Sequence, residues 1–160
     1  MKIEIITTGG TIDKIYFDAK SSYEIGEPQI GTVLAEANLT IDYQVRSLLR
    51  KDSLDMTAED RLLIRAAVEN SPASRIVITH GTDTMIDTAL SLAGVVGKTV
   101  VLTGAMQPAR FRYTDAIYNV ASALTAVQLL PEGIWVAMNG RIFDPAKARK
   151  NREQNRFESI

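Results

Sequence analysis

Cysteine is absent from the 160 residues, and histidine occurs once, at His80. The first absence excludes disulfides, thiol nucleophiles and thiolate metal sites. The second excludes a zinc site built from several histidines, and no second ligand stands beside His80, so no metal is expected. No charge of one sign dominates. Eighteen basic and nineteen acidic residues leave a net charge of −1, which gives no case for nucleic acid or an anionic membrane as partner. No long apolar run is present either. The most apolar stretch, Leu90 to Met106, is broken by Gly94, Gly97, Lys98 and Gly104, so no membrane span is expected. Glu4 interrupts the first apolar run, which therefore lacks a secretory-leader layout; a cytoplasmic protein is the default expectation.

What remains is a chain of 46% hydrophobic residues, enough for one core and a single domain over 1–160. Its elements alternate. Ile3 to Thr7 reads as a strand, followed by a polar segment from Asp13 to Gly31 that is too long for a plain connection: either a functional lid or a disordered insertion. A short helix is expected over Thr32–Ala37 and a strand over Tyr43–Leu48. Thr57 reads as an N-cap, with Glu59 and Asp60 in the first turn of a helix that stops near Asn70. Strands over Arg75–Ile78, Thr99–Leu102 and Ile134–Met138 are separated by helices over Thr84–Val96 and Asp115–Leu130. Asn139-Gly140 signals a tight turn that folds Arg141–Phe143 back as a hairpin strand. The tail from Ala146 is highly charged. This alternation predicts an α/β fold: a doubly wound, parallel, flavodoxin-like or Rossmann-like sheet of order 2-1-3-4-5.

On such a sheet, ligands sit at the carboxyl ends of the strands. Two of those ends have the same form: Thr8-Gly9-Gly10-Thr11-Ile12 after the first strand, and Thr79-His80-Gly81-Thr82-Asp83-Thr84 after the third. Glycine lets each backbone turn sharply and approach a ligand, while Thr8, Thr11 and Thr82 bring hydroxyls. Asp52 to Asp55 and Thr103 to Gln107 lie at further strand ends. A threonine hydroxyl attacks a carbonyl only when a neighbour takes its proton, and N–H groups around Gly10 and Thr82 are natural donors to an oxyanion. His80 reads as structural, since backbone alternation turns it away from Thr82. The residues alone do not choose among the lysines as base.

The paired segments resemble the two signatures of the L-asparaginase family of amidohydrolases, in the same order and on the same elements. The resemblance runs along nearly the whole chain and corresponds to the family's larger, amino-terminal domain. It implies a cofactor-independent hydrolysis of L-asparagine to L-aspartate and ammonia through an acyl-enzyme. Thr11 then matches the attacking threonine and Tyr23 the mobile-loop tyrosine that supports it. Thr82, Asp83 and Lys147 match a second threonine centre with its aspartate and lysine. Ser53 and Asp83 match the groups holding the substrate's α-carboxylate and α-amino group, with Gly10 and Thr82 also at the substrate. Leu54 stands where many members carry a polar residue. The family completes its pocket with carboxyl-terminal residues of a neighbouring subunit, so a homo-oligomer, dimer or tetramer, is expected. Two rival readings stay open: an amino-acid-binding module that turns nothing over, and the amino-terminal domain of a longer asparaginase.

Overall fold

In the computed structural model, which describes residues 1–160, the first strand carries the fold. β1 (Lys2–Gly9) is buried along almost its whole length, as expected of a parallel strand covered on both faces. It pairs in parallel with β4 (Asp42–Lys51) on one side and β5 (Arg75–Thr79) on the other. β6 (Thr99–Thr103) and β7 (Gly133–Met138) continue the parallel sheet. β8 (Arg141–Phe143) turns back antiparallel after Asn139-Gly140. The six-stranded sheet is ordered β4-β1-β5-β6-β7-β8, the expected 2-1-3-4-5 order with the hairpin strand on the edge.

Alternation along the strands divides the core in two. Ile6, Ile76, Ile78, Val100 and Leu102 face α2 (Ala58–Glu69) and α3 (Met85–Ser91). Ile3, Ile5, Val77 and Val101 face α1 (Ile30–Glu36) and α4 (Ala116–Leu129). The α2 N-terminus is closed by a capping box. Asp60 N–H donates to the Thr57 hydroxyl at 3.2 Å, and the Asp60 carboxylate accepts the Thr57 N–H at 2.9 Å. Lys51 at the end of β4 donates to the same carboxylate at 2.7 Å, tying the helix start to the sheet.

Three elements differ from the sequence expectation. α3 ends at Ser91 rather than Val96, because Gly94 and Gly97 adopt positive φ (84° and 74°) that a helix cannot accommodate. The polar segment after β1 is a hairpin, β2 (Lys14–Phe17) and β3 (Ser22–Ile25), with Tyr16 opposite Tyr23 and their rings 5.3 Å apart. The charged tail is a second hairpin, β9 (Ala148–Asn151) and β10 (Arg156–Ser159). Phe157 anchors it by burying its ring 6.4 Å from that of Phe143. No helix is long and apolar enough to cross a membrane.

Thr57→Ala removes one half of the capping box and is expected to cost about 1 kcal/mol. In a chain of this size that lowers the thermal unfolding midpoint by roughly 2–4 °C, measurable by circular dichroism.

Candidate active site

The site forms where the turns after β1, β4 and β5 meet. Gly10, at φ 90°, lies so close to the second turn that a Cβ on it would stand 2.5 Å from the Gly81 Cα. A Cβ on Gly81 would in turn meet the Ser53 side chain at 2.6 Å. Glycine at both positions lets three backbone turns stack without side chains between them. Thr11 follows the first of these glycines and Thr82 the second, so the stack sets both threonines at one edge of the sheet.

Beyond that contact the groups are available for chemistry. The Thr11 hydroxyl is half-buried and makes no hydrogen bond within the chain. The Thr82 hydroxyl is buried and accepts a hydrogen bond from Lys150 Nζ at 2.8 Å. The same ammonium donates to Asp83 Oδ1 at 2.9 Å. The backbone N–H groups of Thr11, Thr82 and Asp83 have no acceptor in the protein. Unpaired donors at a turn of this kind suit an anionic oxygen. Gly10 is not among them: its N–H donates to the Lys51 carbonyl at 2.9 Å, so its part in the site is the close approach to Gly81.

Lys150, not Lys147, is the lysine at the second threonine. Lys147 ends a short turn after Asp144, lies 77% exposed and pairs with Asp144 at 3.8 Å. Lys150 sits on β9 directly opposite Phe157 of β10. Residues paired across a ladder share a face; since Phe157 is drawn into the core, Lys150 points inward too. Arg152, which the sequence did not single out, brings its Nε within 3.7 Å of Asp83 Oδ1 from the turn between these strands.

The remaining candidates are placed as follows. Ser53 is buried against Gly81, and its carbonyl accepts the Thr84 hydroxyl at 2.8 Å. Leu54 beside it is exposed. Beside Ser53, Asp52 titrates below its ordinary range. Burial opposes this, but the Leu54 N–H, the Lys14 ammonium and the charge of Lys150 outweigh it. Tyr23 makes no hydrogen bond to Thr11; its half-exposed ring meets the edge of Phe111 at 5.8 Å and lines a groove of about 510 Å³ with Lys51, Asp52 and Asp55. Thr8 does not present its hydroxyl to the site. It is fully buried and donates to the Thr79 carbonyl at 2.8 Å.

His80 is structural, as its position in the turn suggested. It is fully buried, with Nδ1 2.7 Å from the Gly81 carbonyl and Nε2 2.8 Å from the Thr88 hydroxyl. Burial pushes its pKa down to about 4, so the neutral ring buttresses the Gly81 turn.

The family described as "Asparaginase, N-terminal" matches residues 2–160. The chain belongs to the asparaginase family. An L-asparaginase of Thermococcus kodakarensis is 33% identical over 172 aligned residues, covering 100% of this chain and 51% of the relative. The solved thermostable L-asparaginase of that organism superposes with a TM-score of 0.87 at 29% identity, over 100% of this chain and 51% of the other. A glutamyl-tRNA(Gln) amidotransferase component from Methanococcus vannielii is 42% identical over 91 residues, covering 56% of this chain and 20% of that protein. This asparaginase-family chain thus spans about half the length of the curated L-asparaginases it matches.

Gly10→Ala is expected to drive a methyl group into the Gly81 backbone at a positive φ with extended ψ, lowering stability by about 1–3 kcal/mol from backbone strain alone. Gly31→Ala, with open space in α1, is the control and is expected to leave the unfolding midpoint unchanged or raise it. Equal midpoints for the two variants would show that the glycine stack is not tightly packed.

Proposed function

We propose that the chain is a catalytic domain that hydrolyses L-asparagine to L-aspartate and ammonia through a threonine nucleophile, without a cofactor. The observation that carries this reading is Lys150 Nζ, held between the Thr82 hydroxyl and the Asp83 carboxylate, on the same strand-end edge as an uncommitted Thr11 hydroxyl. Thr11 Oγ attacks the side-chain amide carbon, the unpaired N–H groups of this edge receive the developing oxyanion, and the C–N bond breaks as the nitrogen takes up a proton and leaves as ammonia. Water then cleaves the acyl ester, activated at Thr82 by the Lys150–Asp83 pair, and Thr11 recovers its proton. Asp83 faces the substrate ammonium, a charge-assisted contact, with Ser53 at the α-carboxylate. In this reading the hairpin carrying Tyr23 serves as a cover for the Thr11 edge. The working unit in this reading is a homo-oligomer; the exposed Ile117, Tyr118 and Leu129 of α4 supply an apolar face for a second copy.

The 42% identity to an amidotransferase component over 91 residues favours one other reading: a domain that releases ammonia only for a partner's use. Ammonia release from L-asparagine by the isolated chain separates the two. Under the leading reading Thr11→Ala and Lys150→Met each lose at least about 100-fold in turnover, while Lys147→Met keeps wild-type rates within about twofold. Release that survives Thr11→Ala would sink the threonine mechanism. Binding of L-aspartate by calorimetry with no ammonia from the wild type would leave an amino-acid-binding module.

A further inference from the structure

The β9–β10 hairpin sorts its polar residues by strand alternation. Arg149 and Asn151 share one face and bond Glu158 across the ladder: Arg149 donates to Glu158 Oε1 at 2.7 Å, and the Asn151 amide donates to both carboxylate oxygens at 3.3 Å. Lys150 and Arg152 fall on the other face, because side chains two positions apart along a strand point the same way. Both turn to Asp83, and both meet the same oxygen. Lys150 Nζ lies 2.9 Å from Asp83 Oδ1, and Arg152 Nε lies 3.7 Å from it. The two cations differ in what else they hold. The Lys150 side chain is 12% exposed and also donates to the Thr82 hydroxyl. The Arg152 side chain is 68% exposed, and Asp83 is its one charged partner. Asp83 Oδ2 accepts nothing within the chain and is left to a ligand.

Lys150 by itself balances the Asp83 carboxylate, and Arg152 leaves the group with one positive charge in excess. An ammonium brought to Asp83 is the third cation at one carboxylate. We propose that Arg152 sets the specificity of this edge by masking Asp83: it weakens the attraction for an α-ammonium, so that the site takes succinamate, the des-amino monoamide, about as readily as L-asparagine. The proposal rests on the reading of this edge as the place where the amide binds. It names the class accepted there: monoamides of short dicarboxylic acids, with or without the α-amino group. Discrimination is a difference of affinities, and a repulsive element against one ligand counts as much as an attractive one toward another. An excess positive charge disfavours the ammonium of asparagine and leaves the carboxylate common to both amides unaffected or favoured. Because Arg152 is largely solvated, water and salt screen its charge, which keeps the effect near about tenfold.

The test is calorimetric binding of L-aspartate and succinate, the acids left by the two amides, which differ only in the ammonium group. At about 20 mM salt the wild type is expected to bind succinate within about tenfold of L-aspartate. Arg152→Gln, at an exposed turn position, is expected to widen the preference for L-aspartate at least about tenfold, and Arg152→Lys, which keeps the charge, to hold the wild-type ratio. Salt at about 0.5 M is expected to erase the difference between the wild type and the Gln variant, which a merely structural role for Arg152 would not produce. A ratio unchanged within about twofold in Arg152→Gln, a Lys variant that behaves like the Gln variant, or a difference that persists at high salt overturns the proposal. A wild type that binds neither acid overturns it as well. Binding is read without turnover, so the expected ratios in a chain that releases no ammonia support this proposal and sink the hydrolytic reading. Ammonia release with an unchanged ratio does the reverse.

Discussion

The contact between Gly10 and Gly81 is the constraint on which the site depends. Parallel strands deliver their carboxyl ends to one edge, but that alone leaves side chains between the turns. Two positions without a Cβ, reinforced by Ser53 packed on the far side of Gly81, remove the spacing and bring two threonine-bearing turns into direct backbone contact. The neutral His80 then fixes the Gly81 carbonyl from within the core. Its full burial and low pKa follow from that task.

The parts of the molecule legible in the sequence are those governed by local rules. The sheet order followed from alternating elements, the α2 start from Thr57 and its acidic first turn, and the β7–β8 turn from Asn139-Gly140. The convergence of Gly10, Thr11, Ser53, Thr82 and Asp83 followed from their places just beyond strand ends. Elements that depend on tertiary pairing were not legible. The β2–β3 hairpin is held by Tyr16 against Tyr23 and by a buried Asp13; a polar, aperiodic segment gives no sign of either. The β9–β10 hairpin hides in a charged tail whose one informative residue is Phe157.

The lysine shows how a local reading misses by three residues. Lys147 and Lys150 sit in the same charged stretch, and resemblance by position favoured the earlier one. What selects between them is the cross-strand partner: Lys150 opposes a residue pulled into the core, whereas Lys147 precedes the strand and pairs with Asp144 at the surface. An apolar residue seven positions downstream, once recognised as a strand partner, is the only sequence signal for it. The same placement puts Arg152 beside Asp83, so the aspartate meets two cations from one hairpin.

That hairpin imposes a counting rule on the chain. Because Lys150 reaches Thr82 by sharing a strand face with Phe157, its usefulness depends on parity rather than on distance. A single residue gained or lost between Ala148 and Lys150 would turn the ammonium to solvent and aim a neighbour at Asp83. Changes confined to the turn at 152–155 leave the pairing untouched. Length variation among natural forms of this segment should therefore collect in the turn, and any within β9 should come in steps of two.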